Sequence, residues 1–221
     1  MSDVMTREAV DRDVAAAVER ELADVLRGRL RDAARIDAVF GRDVAERVAD
    51  FTLRGGGRIR SRFLWWGLRA CDGQDIGTGS VLRIAAGLEL IQTCALVHDD
   101  LMDGSPLRRG RPAVHTDFTT RYGPLARHAG AAAPFGTSAA VLVGDLALAW
   151  ADDTVADTDL APEPRHRVRK VWQAMRTEMV AGQHLSRARL DDGCRPHRVL
   201  QDRTTAAPGA RQQMPVDVDR G

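Results

Sequence analysis

A chain of 221 residues can bury one sizeable core. Its formal net charge of +1 excludes the strongly basic surface that non-specific binding to nucleic acid or an anionic membrane would need. Aromatics make up only 5% of the residues while alanine and leucine abound, so the composition favours helices over strands.

Helices are expected nearly throughout. Val10, Val14, Ala17, Val18, Leu22, Val25 and Leu26 recur at helical spacing and predict a first amphipathic helix. A second is expected from about Asp32 to Asp50. Gly55, Gly56 and Gly57 break the pattern, a basic cluster follows, and a third helix is expected from Arg58 to Cys71. Glycines at 73, 77 and 79 mark the stretch from Cys71 to Ser80 as loop.

The next helix, from about Ser80 to Asp103, carries the most information. Val81, Ala85, Leu88, Gln92, Ala95 and Asp99 alternate spacings of four and three along one face, and Gly104-Ser105-Pro106 ends the helix. Residues 107–115 read as a basic loop. Further helices are expected over 116–129, 136–152 and 164–185, with no strand of any length. From Ser186 to Gly221 helical periodicity is lost among Arg, Asp, Gln, Gly and Pro, so this segment is expected to be a low-order tail. The apolar run from Thr137 to Ala151 contains Asp145 and falls short of the roughly 20 residues that span a bilayer, so no transmembrane segment is expected. Met1 to Arg12 is polar and does not read as a signal peptide. Cys71, Cys94 and Cys194 are odd in number and form no CxxC, which points to a reducing cytoplasm rather than to disulfides or zinc.

The chemistry is concentrated in His98-Asp99-Asp100-Leu101-Met102-Asp103. Asp99 and Asp103 are one turn apart on one face, roughly 5–6 Å at Cβ. Carboxylates near a helix C-terminus oppose its dipole, so stability alone does not explain three of them there. Hard oxygen ligands at this spacing suit Mg²⁺, which completes its shell with waters and substrate phosphates. Arg108-Arg109-Gly110-Arg111 follows at once, and guanidinium groups bind phosphate oxygens bidentately. A second cluster, Arg58, Arg60 and Arg62, follows the triple glycine. Taken singly, each feature has a plain structural explanation: a solvated helix end, a charged loop, a turn, a satisfied core amide at Gln92. Their joint occurrence in this order is the signal.

These residues resemble the trans-prenyl diphosphate synthases. The likeness is carried by Gly55-Gly56-Gly57-Arg58-Ile59-Arg60, Leu88-Glu89-Leu90-Ile91-Gln92, the DDxxD segment with Arg108-Arg109-Gly110, Gly144-Asp145, and Glu178 to Gln183 (EMVAGQ), over about residues 20–185. The resemblance implies an all-α, isoprenoid-synthase-type helical bundle, incomplete at its C-terminus. It implies a prenyltransferase that condenses an allylic diphosphate with isopentenyl diphosphate, with Mg²⁺ as cofactor. Asp99 and Asp103 would bind the metal and Asp100 would support them. Arg108 would hold the allylic diphosphate, while Arg60, Arg109 and Gln92 would hold isopentenyl diphosphate; Gln183 and Arg58 would join the substrate-binding set. Cys94 and Ala95, small residues below the metal site, imply a product of twenty carbons or more. A homodimer, or a heterodimer with a complete synthase, is implied as the assembly.

The sequence also departs from the family pattern. Gly57 stands where lysine is usual, with Arg58 the candidate substitute, and Ser61 replaces a usual proline. A second aspartate-rich motif is missing, Asp191-Asp192 lacking its partner aspartate, and the pattern stops near Leu185. A truncated or frameshifted gene, with doubtful activity for the chain alone, is therefore expected. Two alternatives remain: a non-catalytic partner subunit, and a class I terpene cyclase, against which the second basic cluster and the RRG segment argue.

Overall fold

A computed structural model describes residues 6–71, 76–128 and 135–191. They divide into two units, one ending at Trp172 and one beginning at Gln173.

The first unit is organised around a long helix, α6, Thr78–Met102. The other helices are α1 (Arg7–Arg12), α2 (Val14–Ile36), α3 (Ala38–Phe40), α4 (Glu46–Leu53), α5 (Ile59–Ala70), α7 (Val114–His128), α8 (Phe135–Ala156) and the start of α9 (Pro162–Asp191). Helix α6 packs against α2, α4, α5, α7 and α8. Its buried residues, among them Leu82, Ala86, Leu90, Cys94 and Val97, surround nearly the whole helix. A helix that is apolar on most sides belongs in the middle of a bundle. It is also long and apolar enough to cross a membrane by length and composition, a property that core helices share. On the face marked by the spacing, Leu88, Gln92, Ala95 and Asp99 are only half-buried. That leaves it available to line a site.

Helix α8 approaches α6 closely because its facing residues are small: Ala139, Ala140, Gly144, Ala147 and Ala151 are all buried. Gly144 is required here, because a Cβ would lie 2.1 Å from Nε2 of His98. At the far side of α6, Trp65 of α5 fills the core against Val10, Val14 and Val18. Its indole N–H donates to Asp11 at 2.8 Å, so the ring is buried without an orphaned donor.

Several boundaries differ from the sequence reading. The first helix is split at Asp13, whose side chain accepts from the Ala16 N–H and starts α2. The second does not begin at Asp32. Helix α2 continues to Ile36, and Asp37 then caps a fresh start by accepting from the N–H groups of Val39 and Phe40. A π-helical turn, Gly41–Ala45, joins α3 to α4. Gly41 leads into it with its Cα side only 3.1 Å from the Ala34 backbone for any added Cβ. The expected basic loop is a short β-hairpin, Leu107–Arg108 with Arg111–Pro112. In the second unit, α9 continues to Asp191, past the expected limit at 185. The rest of the expected tail lies outside the described residues.

Candidate functional site

Three elements converge at the C-terminal half of α6. The first is the loop at Gly55–Arg58, between α4 and α5. The second is α6 itself, and the third is the hairpin. Together they line a cavity of about 430 Å³.

The hairpin explains how three arginines are aimed at it. Arg108 and Arg111 are paired across the two strands, so their side chains share a face. The connecting residues, Arg109 and Gly110, have φ of 52° and 75°, as a two-residue I′ turn requires. The Ala113 N–H donates to the Pro106 carbonyl at 2.9 Å and closes the base. Arg108, Arg109 and Arg111 all line the cavity.

Arg108 also reaches the acidic end of α6. Its Nε donates to Asp100 at 2.6 Å and one terminal N–H to Asp99 at 3.4 Å. Asp103 is the C-cap of α6 and adds its field to the same guanidinium. The Asp100 hydrogen bond first, and then the charges of the three carboxylates, raise the Arg108 pKa above its ordinary value. Asp100 is only 2% exposed at its side chain, whereas Asp99 is 36% exposed. Asp100 is therefore committed to orienting Arg108, and the accessible carboxylates are those of Asp99 and Asp103.

Among the described residues, no group of three or more His, Cys, Asp or Glu side chains comes together as a metal cage. Two hard carboxylates at one-turn spacing beside an arginine-lined cavity still fit Mg²⁺, which is commonly held by one or two carboxylates plus substrate phosphate oxygens. Asp99 and Asp103 are the residues that would hold it.

The cavity is lined by seven arginines against two carboxylates, Asp50 and Glu89. Four of the arginines are already matched. Arg47 pairs with Asp117, Arg54 with Asp50 at 2.6 Å, Arg58 with Glu89 at 3.0 Å, and Arg108 with Asp99 and Asp100. Arg60, Arg109 and Arg111 have no carboxylate at ion-pair distance among the described residues. Gln92 lines the same cavity from α6. The space is thus net cationic and offers an amide as a neutral hydrogen-bonding group, which suits a polyanion with several oxygens.

Arg60, Arg108, Arg109 and Gln92 are therefore brought together as expected. Arg58 is not a free ligand. Its side chain is 1% exposed. It donates to Glu89, to Glu19 at 3.4 Å, and to the carbonyls of Thr52 and Leu53, both at 3.0 Å. It therefore does not stand in for the lysine missing at Gly57. Cys94 also differs from expectation. It points along the α8-facing side of α6, with its Sγ 3.7 Å from Nδ1 of His98, while Ala95 is half-buried directly below Asp99. Neither lines the cavity. Gln183 is on α9 in the second unit. Glu89, which accepts from Arg58 and Ser61, drew no role from the sequence, although a carboxylate midway along so apolar a helix was a visible signal.

Burial, and to a lesser extent the nearby Asp145 carboxylate, pushes the Cys94 thiol up to about 11. The neutral form is therefore favoured at every pH below that value. In the native protein at pH 8, iodoacetamide is expected to modify exposed Cys71 and spare Cys94. Peptide mass spectrometry checks this, and comparable labelling of both would show that Cys94 is open to solvent.

The profile of the polyprenyl synthetase family matches residues 42–197. The chain is 33% identical over 156 residues to the farnesyl diphosphate synthase of Geobacillus stearothermophilus, a match covering 67% of this chain and 46% of that protein. It is 35% identical over 134 residues to a probable farnesyl diphosphate synthase of Sinorhizobium fredii, covering 59% and 34%. Against the chloroplastic geranylgeranyl pyrophosphate synthase 9 of Arabidopsis thaliana it is 32% identical over 153 residues, covering 66% and 37%. The chain thus spans between about a third and a half of the length of these relatives. Its structure is similar to the crystal structure of geranylgeranyl pyrophosphate synthase from Corynebacterium glutamicum complexed with isoprenyl diphosphate and magnesium. The TM-score is 0.71 at 37% identity, over 80% of this chain and 50% of that one.

Proposed function

The chain belongs to the polyprenyl synthetase family, and from that membership we propose that it condenses an allylic diphosphate with isopentenyl diphosphate to give a longer prenyl diphosphate. The fold is the all-α isoprenoid synthase type. The observation that carries the reading is Arg108. One guanidinium holds the aspartates of the DDxxD segment and lines the arginine-rich cavity. An acidic metal-binding edge and a cationic diphosphate pocket therefore share one boundary residue.

The residues divide by charge. Asp99 and Asp103 would hold Mg²⁺, which when bound neutralises the leaving diphosphate. Arg108 lies between them and the cavity, where it would take the allylic diphosphate oxygens. Arg60, Arg109 and Gln92 would hold the isopentenyl diphosphate. Gln92 and Asp99 are seven residues apart on one helix, roughly 10 Å along its axis, so two diphosphates fit side by side. Carbon–carbon bond formation then breaks the allylic C–O bond, joins the isopentenyl double bond to the resulting cation, and passes one proton to the departing diphosphate. The apolar residues around α6 exclude water that would quench the cation. Ala95, one turn below Asp99, leaves room for a chain of twenty carbons or more. Its replacement by Phe is expected to shorten the product. The unpaired cysteines support a cytoplasmic setting, and a homodimer or a pair with a complete synthase is the proposed assembly.

The test is incorporation of labelled isopentenyl diphosphate into acid-labile products with allylic acceptors of different lengths, with Mg²⁺ present or chelated. Magnesium-dependent incorporation by the purified chain supports the reading. Incorporation seen only when a full-length synthase is added would make the chain a partner subunit. None under either condition would overturn the reading.

A further inference from the structure

A buried ion pair forms part of the cavity wall. Arg58 and Glu89 are linked at 3.0 Å, with side chains 1% and 10% exposed. Glu89 accepts a second hydrogen bond, at 2.6 Å, from the hydroxyl of the fully buried Ser61. Thr93, one turn along α6 from Glu89, meets Thr52 of α4 at 2.9 Å between hydroxyls. The same Arg58 guanidinium donates to the carbonyls of Thr52 and Leu53 at the end of α4, as cationic side chains do at helix C-termini.

The glycine loop is wrapped on this group. A Cβ on Gly55 would come within 2.2 Å of Nη1 of Arg58, so only glycine lets the backbone pass over the guanidinium. Arg58 itself holds φ of 51°, a left-handed conformation that a non-glycine residue keeps only when its surroundings impose it. The next residue is bound to the hairpin. Gly56 lies against Arg109, with 3.1 Å from an added Cβ to its Nη2, and Nη1 of Arg109 donates to the Arg54 carbonyl at 3.4 Å. A continuous path thus runs from Glu89 in the core, through Arg58 and Gly55–Gly56, to Arg109 in the cavity.

We propose that Arg58 and Glu89 are positioning residues. The buried pair fixes the Gly55–Gly57 loop, and the loop holds Arg60 and Arg109 in register for one diphosphate. Arg58 and Glu89 both line the cavity, but their polar atoms are engaged by one another, by Ser61 and by the α4 carbonyls, so their role is to position the loop rather than to ligate the diphosphate. This rests on the diphosphate reading above and extends it to a buried pair in the cavity wall.

Two measurements on the full 221-residue chain test it. One is amide hydrogen exchange of peptides covering residues 53–60. The other is calorimetric titration with inorganic pyrophosphate and Mg²⁺. Glu89→Gln keeps the shape of the side chain but removes the charge that holds Arg58. It is expected to speed exchange over 53–60 at least tenfold and to weaken pyrophosphate binding at least tenfold, with exchange in α8 unchanged. The double variant Arg58→Met with Glu89→Met removes both buried charges together, which often restores stability. Its melting temperature is expected to return close to that of the native chain while pyrophosphate affinity stays low. A double variant that recovers affinity along with stability would show that the pair merely supports the fold. Unchanged exchange over 53–60 in Glu89→Gln would also overturn the inference. A native chain that binds no pyrophosphate would instead overturn the diphosphate reading on which the affinity measurement depends.

Discussion

Asp99→Asn with Asp103→Asn is expected to reduce Mg²⁺-dependent pyrophosphate binding at least a hundredfold and to leave the fold as stable as before, or slightly more so. The two effects have opposite signs for one reason. Both aspartates sit in the last turn of α6 or at its C-cap, where negative charge faces the negative end of the helix dipole at a cost of roughly 0.3–1 kcal/mol each. Neutral amides remove that cost. The contact from Arg108 to Asp99, 3.4 Å between partly exposed groups, is worth little in water. The 2.6 Å bond from Arg108 to buried Asp100 remains. Removing a residue that merely orients a metal ligand costs roughly 10–100-fold in metal affinity, so loss of two ionised ligands themselves belongs at or beyond the upper end of that range. Calorimetric titration and a urea melt on the same samples read both quantities. Unchanged pyrophosphate affinity would move the metal site away from this helix end. A large loss of stability would mean that the carboxylates are structural.

The acidic helix end and the arginines after it were legible because they are local. DDxxD and RRG lie within twelve residues, and period and charge suffice to read them. The hairpin was not legible. Two-residue strands carry no alternation, and Arg109 at positive φ replaces the asparagine or aspartate that usually announces a I′ turn. The interruptions at Asp13 and Asp37 were missed because apolar spacing continues across them, although aspartate followed by a helical run is a capping signal. Arg58 was misread for a different reason. Its fate depends on Glu89, thirty-one residues away, and on the end of α4. Long-range pairing of this kind leaves no periodic trace. Gln92 and Asp99 were placed on one face by their spacing, but how far the bundle covers that face was not legible. With so many small apolar residues all round α6, the hydrophobic pattern could not show which side the rest of the bundle leaves open.

Small residues also decide where the bundle will not tolerate change. Gly136→Ala and Gly28→Ala add the same methyl group to helix positions and are expected to act in opposite directions. At Gly136, near the start of α8, the new Cβ would lie 2.1 Å from the Thr119 hydroxyl oxygen, 2.2 Å from the His115 carbonyl oxygen and 2.9 Å from the Thr119 amide nitrogen. Two of these atoms belong to the α7 backbone, so no rotamer change relieves the overlap. Helix α7 would have to move outwards, and the aromatic contacts that Phe118 and Tyr122 make with Phe135, at ring-centroid distances of 6.1 and 5.4 Å, would open with it. Overpacking typically costs about 1–3 kcal/mol and occasionally more; a backbone clash between two helices belongs at the top of that range. Gly28, inside α2, has nothing within 4 Å of its added Cβ and no positive φ. There alanine is expected to stabilise the chain by roughly 0.5–1 kcal/mol, since it restricts the unfolded chain and improves helix propensity. Urea midpoints of the two variants against the native chain check the pair. A midpoint that rises for Gly136→Ala would mean that α7 and α8 do not approach as closely as their small residues permit, and the contact that holds α8 against the cavity-bearing part of the bundle would lie elsewhere.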